Sequence, residues 1–191
     1  MIIEKTKLDG VLIVKPDVFK DGRGYFYEAF NKKKFEDNGL KFEFVQDNVS
    51  RSCYGTIRGL HYQVGQNAQG KLCHVIYGAV LDVAVDIRFN SPTFGEYVAV
   101  ELSDKNNYQL WIPPGFAHGF SVLSEEALFH YKCTAYYSKP DERSILYNDP
   151  DLSVDWKIFS PVVSDKDLKA KAFGCIEKDF FFDGVSLSEN K

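Results

Sequence analysis

The chain has 191 residues, 45% hydrophobic and 15% aromatic, enough apolar material for one domain with a full core and too much for a disordered chain. The formal net charge of -4 argues against a nucleic-acid partner, which needs a basic face, but leaves room for a local basic pocket for a small phosphorylated ligand.

Short strands separated by turn signals dominate. Residues 11–14 read as a strand that stops near Pro16, and Asp21-Gly22-Arg23-Gly24 reads as a turn before an extended, aromatic stretch over 25–30. Asn31 is placed to cap a short helix over 32–36 that ends at Gly39. Strands are predicted over 42–48 and 57–63. Residues 71–77 and 79–88 predict a hairpin hinged on Gly78. In its second strand Leu81, Val83, Val85 and Ile87 share one face, expected to pack on a partner sheet. Asp82, Ala84 and Asp86 share the other, which faces either water or a cavity.

Further strands are predicted over 97–102, 109–112, 120–123 and 128–136, with a Pro113-Pro114-Gly115 turn. Ser164-Asp165-Lys166-Asp167, followed by Leu168, Ala170, Ala172 and Phe173, predicts a capped helix stopped at Gly174. No repeat or linker divides the chain, so residues 1–191 are expected to form one domain, with a frayed polar tail over about 183–191. About ten short strands with few helices point to an all-β fold, an antiparallel double-sheet jelly roll whose mouth suits a small ligand.

Cys53, Cys73, Cys133 and Cys175 form no CxxC pair, and Met1-Ile2-Ile3-Glu4-Lys5 has no apolar signal core. Asp82 and Asp86 interrupt the most apolar run, 75–87. The expectation is a cytoplasmic protein with reduced thiols and no membrane partner.

The four histidines, His61, His74, His118 and His130, show no metal-pair spacing, although His61 and His118 could meet in space with a carboxylate as third ligand. There is no G-x-S-x-G elbow and no dinucleotide fingerprint. Proton transfer remains, and it needs a base, a group to stabilise an anion and an acid. Gly55-Thr56-Ile57-Arg58-Gly59-Leu60-His61-Tyr62-Gln63 offers His61 as the base and Arg58 as a planar fork for an anionic group; the alternative is a core histidine and a surface ion pair. Lys71 is the candidate cation, a lysine on an inward strand face that needs a partner such as Asp82 or Asp86. Tyr131 is either an acid or a core aromatic. Asp167 is either the third helical position of the Ser164 cap or the group that orients His61. Strict alternation sets Arg58 and His61 on opposite faces; a bulge at Gly59 or the reach of Arg58 would reconcile them.

A set of motifs in order then resembles one family. Phe44-Val45-Gln46-Asp47-Asn48-Val49-Ser50, Ile57 to Gln63, Gln69-Gly70-Lys71-Leu72 and Asp82 to Arg88 are followed by Ser91-Pro92-Thr93-Phe94-Gly95 and Trp111 to Phe120. Tyr131-Lys132, Asn148-Asp149-Pro150 and Ser164 to Asp167 complete the set. From about Gly10 to Asp167 the chain is similar to the dTDP-4-dehydrorhamnose 3,5-epimerase family. Tyr62 stands where many members have Phe, and the stretch after Phe173 lies outside the likeness.

The resemblance implies a cupin-like, metal-free barrel without a cofactor, acting on a nucleotide-linked 4-keto-6-deoxy sugar. It also implies a homodimer in which an N-terminal segment is exchanged or shared with the partner's site. By the same resemblance His61 is the base, Asp167 its partner, Tyr131 the acid and Lys71 the neighbour of the enolate oxygen. Arg23, Glu28, Gln46, Asn48, Arg58, His118, Glu142 and Lys166 fall at substrate-contact positions. The rival readings are a relative that inverts only C3 or only C5, and a metal-dependent or non-catalytic sugar-binding cupin.

Overall fold

The structure, a computed structural model, describes residues 1–184. Most of the tail expected to fray, residues 185–191, lies outside the described residues. The chain opens with the antiparallel pair β1 (Ile2–Lys5) and β2 (Leu12–Lys15), then a separate hairpin of β3 (Phe19–Asp21) and β4 (Gly24–Phe26). Asn31 caps α1 (Lys32–Asp37), its side chain accepting the Lys34 N–H at 3.3 Å. Next come β5 (Gln46–Cys53), β6 (Thr56–Gln63), β7 (Lys71–Tyr77), β8 (Ala79–Asp86), β9 (Tyr97–Ser103) and β10 (Gln109–Ile112). β11 (Phe116–Val122), β12 (Glu126–Cys133), β13 (Glu142–Ser144), β14 (Val162–Val163) and α2 (Asp165–Leu168) follow.

Two sheets face each other, in the orders β1-β2-β10-β7-β12-β5 and β13-β6-β11-β8-β9. All pairings in them are antiparallel except β14, which joins β6 in parallel. The interior is filled by Val75, Leu110, Ile112 and Phe129 from the first sheet and Val80, Ala84, Phe116 and Phe120 from the second. This is the expected double-sheet jelly roll.

Four expectations need correction. β7 and β8 do not pair as a hairpin: β7 lies between β10 and β12, β8 between β9 and β11. Gly78 is a corner where the chain changes sheet. Its φ is +83°, and a Cβ there would sit 2.2 Å from the Glu126 carbonyl, so only glycine turns there. The face of β8 bearing Leu81, Val83 and Val85 points away from the partner sheet. It is covered instead by the later chain through Ile145, Leu152 and Trp156, while Asp82 and Ala84 face the interior.

The strand expected over 42–48 begins only at Gln46 and continues to Cys53. Phe42 leaves the sheet to stack on Trp111, ring centroids 3.6 Å apart. Finally, α2 ends at Leu168, not at Gly174, because the Lys171 carbonyl accepts the Leu146 N–H at 2.8 Å and draws the chain out along the barrel.

Candidate active site

β6 delivers both Arg58 and His61 to the cavity. On β11, His118 stands opposite His61 and Phe120 opposite Arg58, so two steps of β11 span three of β6. That is a bulge, and it turns Arg58 to the same side as His61. Gly59 makes it possible: its φ is +133°, and a Cβ would lie 2.5 Å from the Gly119 Cα.

Asp167 arrives from α2. The Ser164 hydroxyl accepts the Asp167 N–H at 3.2 Å, capping the turn, while the Asp167 carboxylate sits 2.6 Å from His61 Nε2. One residue thus makes both the cap and the contact with His61. Burial pushes its carboxyl up, but the His61 hydrogen bond and charge, with help from Ser164 and the Gly59 N–H, outweigh burial and hold it below the usual carboxylate range. A carboxylate only accepts, so Nε2 carries the imidazole proton and Nδ1 keeps the lone pair. The His61 side chain stays 29% exposed; that of Asp167 is 4% exposed.

Lys71, at the start of β7, is buried, and its Nζ lies 5.8 Å from the centroid of the Tyr131 ring. Among the described residues no carboxylate stands within ion-pair distance of it. The expected partners are engaged elsewhere: Asp82 receives His118 Nε2 at 2.7 Å, and Asp86 receives Arg88 at 2.8 Å together with Ser91 and Thr93. Burial lowers the Lys71 pKa, partly offset by Cys73, Cys133, Asp82 and Glu142. Burial likewise pushes the Tyr131 phenol up to about 12. Arg58 donates Nε to the Ser52 hydroxyl at 3.1 Å, and no carboxylate pairs with it among the described residues.

These groups line one cavity of about 740 Å³, with His61, Lys71, Tyr131, Asp167, Arg58, Asn48, His118 and Lys166 all on its wall. Gln46 and Glu142 stand one contact behind. Gln46 donates to Asn48 Oδ1 at 3.1 Å, and Glu142 pairs with Lys166 at 2.6 Å. Burial pushes Glu142 up, but Lys166 and the Tyr137 hydroxyl outweigh it and leave its pKa lowered. Arg23 and Glu28 are not brought to the cavity by this chain. Arg23 pairs with Asp21 on the exposed β3–β4 hairpin, and Glu28 pairs with Lys34 beside α1.

Sequence reasoning missed Ser52 as the residue that steadies Arg58 and Asp82 as the partner of His118. The clue to Ser52 was the run of small and amide side chains at 46, 48, 50 and 52, which becomes readable once the register is known. His61 and His118 do meet across β6 and β11, but His61 is spent on Asp167. The one group of three metal-capable donors among the described residues is Cys73, Asp82 and His118.

The sequence model of the dTDP-4-dehydrorhamnose 3,5-epimerase family matches residues 5–174. The chain belongs to this family. It is 53% identical over 182 residues to the dTDP-4-dehydrorhamnose 3,5-epimerase of Shigella flexneri, covering 95% of this chain and 99% of that one. Among solved structures, the family's enzyme from Elizabethkingia anophelis is 53% identical with a TM-score of 0.86, over 91% of this chain and 97% of the other. The dTDP-6-deoxy-D-glucose-3,5-epimerase of Legionella pneumophila, solved with dTDP-4-keto-L-rhamnose, is 49% identical with a TM-score of 0.91, over 95% of this chain and 98% of the other. As in these epimerases, the fold is a cupin-like barrel, and no helix among the described residues is long and apolar enough to cross a membrane.

Proposed function

We propose that this chain inverts C3 and C5 of a dTDP-linked 4-keto-6-deoxyglucose through an enolate, in the making of dTDP-L-rhamnose-type sugars. The observation that carries the proposal is the His61–Asp167 contact of 2.6 Å on the wall of a cavity shared with Lys71 and Tyr131. The 4-keto group acidifies the adjacent C–H bonds. His61 Nδ1 takes the proton, the electron pair moves onto the C4 oxygen, and the imidazolium that forms is stabilised by ionised Asp167. Base catalysis of this kind contributes about 10²–10⁴-fold.

Lys71 has no carboxylate partner among the described residues, so when protonated its charge is available to the enolate oxygen, a contribution of about 3 kcal/mol. A phenol with its pKa near 12 stays protonated at neutral pH and yields its proton only to a strong base such as an enolate carbon. Tyr131 accordingly protonates the opposite face and inverts the centre. His61 then gives its extra proton to solvent and Tyr131 regains one from it, and no net oxidation occurs, so no redox cofactor is required. Arg58 and Lys166 take the anionic nucleotide end, with Asn48, Gln46, His118 and Glu142 as further contacts.

The same reading makes the molecule a single-domain homodimer of the cytoplasm. Arg23 and Glu28 reach a site only in a partner, and the β3–β4 hairpin exposes Phe19, Tyr25 and Phe26 as a sheet extension for one. All four cysteines are free, which agrees with a reducing compartment.

Turnover of the thymidine-linked 4-keto sugar in deuterium oxide, followed by mass spectrometry, tests the assignment. Two deuterons per product are expected. One deuteron makes the enzyme a single-centre epimerase, and none removes the enolate mechanism.

A further inference from the structure

Behind the cavity wall at His118 lies a second set of donors, of which Cys73 and Asp82 have no part in the epimerase chemistry. Cys73 on β7, Asp82 on β8 and His118 on β11 each offer one ligand atom, and these atoms lie within 4.8 Å of one another. All three side chains are buried. Cys73 Sγ is 3.7 Å from His118 Nε2. A tetrahedral zinc ion, with bonds of about 2.3 Å to sulfur and about 2.0 Å to nitrogen, sets those two atoms about 3.5 Å apart. The Nε2–Oδ1 distance of 2.7 Å has to open by about 0.6 Å to admit the ion.

A second observation points the same way. Asp82 Oδ2 is buried and has no hydrogen-bond partner. A buried carboxylate oxygen left without a donor is costly, and a cation would satisfy it. The thiolate, imidazole and carboxylate set suits zinc or cobalt and not magnesium or calcium, which prefer oxygen cages. Three protein ligands leave a fourth position for water or a bound molecule.

We propose that Cys73, Asp82 and His118 bind one zinc-class divalent cation, and that its presence inhibits the epimerase by taking His118 from the substrate and adding positive charge beside Lys71. Binding forms the metal–sulfur bond as the thiol proton leaves to solvent, and the imidazole proton moves from Nε2 to Nδ1. The inhibitory half rests on the assignment of His118 and Lys71 to the substrate site; the binding half does not.

Tag-free protein stripped with a chelator is titrated with cobalt(II) and zinc(II). The expected result is one equivalent bound, with a near-ultraviolet thiolate-to-cobalt band and tetrahedral visible bands. Cys73→Ser loses the near-ultraviolet band and binds zinc at least tenfold more weakly, whereas Cys53→Ser and Cys175→Ser match the parent. Asp82→Asn weakens binding at least tenfold but keeps the thiolate band, which guards against a misfolded Cys73→Ser. Absence of the band in the parent, or its persistence in Cys73→Ser, overturns the site.

In the deuterium assay, one equivalent of zinc slows the parent at least tenfold and chelator restores it, while in Cys73→Ser the rates with and without zinc agree. Full zinc occupancy with an unchanged rate overturns the inhibition. A parent that takes up no deuterium even in chelator removes the epimerase assignment instead, and the cobalt spectrum still reports on the metal site.

Discussion

Two histidine–aspartate pairs each bring an imidazole to the same cavity with nearly equal geometry, 2.6 Å for His61–Asp167 and 2.7 Å for His118–Asp82. Their surroundings differ. Asp167 comes from a short capped turn late in the chain, with Ser164 and the Gly59 N–H adding hydrogen bonds. Asp82 lies on β8, beside β11, and one of its oxygens is orphaned. The His61 side chain is 29% exposed, that of His118 only 6%. Burial also lowers the His118 pKa despite the neighbouring Asp82 charge. A base that turns over must give up the proton it has taken, and solvent must reach it, so the outer pair is suited to proton transfer and the inner pair to holding a ligand. Distance alone does not distinguish them; access and the number of donors on the carboxylate do.

The sharpest break of this comparison is His61→Ala. It should lower deuterium uptake at C3 and C5 by about 10³-fold or more while dTDP binding, measured by calorimetry, changes only a few-fold. Retained uptake would transfer the role of base elsewhere. Asp167→Asn should lower kcat by about 10²-fold or more through the wrong tautomer, whereas Asp82→Asn should act mainly on KM, with kcat within about tenfold. Equal losses of kcat would make both pairs proton carriers. Tyr131→Phe should still exchange hydrogen at a centre but yield little fully inverted product, read by NMR of the sugar; a fully active variant would name another acid.

Gly59→Ala sharpens the structural side, since it strikes the bulge that aims His61 without removing a functional group. The blocked Cβ and the positive φ should cost about 3 kcal/mol, a fall in Tm of about 10 °C by calorimetry. Smallest is a pH effect that uses His74 as a control outside the cavity. Burial, with the charges of His130 and Lys132, lowers its pKa to about 4. Its folded pKa is then below the unfolded value of about 6.5, so between the two the unfolded chain holds more protons and stability rises with pH. Denaturant midpoints should fall as pH drops from about 6.5 towards 4, by at most about 1.4 kcal/mol per pH unit from this group. His74→Gln should flatten that slope and leave the acid limb of kcat where it was.

Much of this was legible in the residues. The alternation of Leu81 and Asp82 marked β8 and its polar face, Asn31 and Ser164 marked their helix caps, and the clash between Arg58 and His61 on strict alternation called for the bulge found at Gly59. Other features depend on neighbours distant in sequence. Two strands around a glycine look alike whether they pair or part; the Glu126 carbonyl behind Gly78 decides. β5 has polar or charged residues on both faces, so it gives little periodic signal, and only its pairing with β12 defines it. Lys71 reads as half of an ion pair until His118 and Arg88 are seen to have taken both aspartates. Arg23 and Glu28 carry the family pattern but stand on the β3–β4 hairpin and beside α1, both outside this chain's own cavity.

Asp167, on α2, follows His61 by 106 residues. During synthesis the ribosome releases β6, and with it His61, long before α2. The nascent barrel can close around its core while the imidazole still rotates freely, without its carboxylate anchor. On the proposed mechanism catalytic competence is therefore acquired only once α2 has emerged, and a protease cut between Trp156 and Ser164 would untether the anchor while leaving the two facing sheets in place.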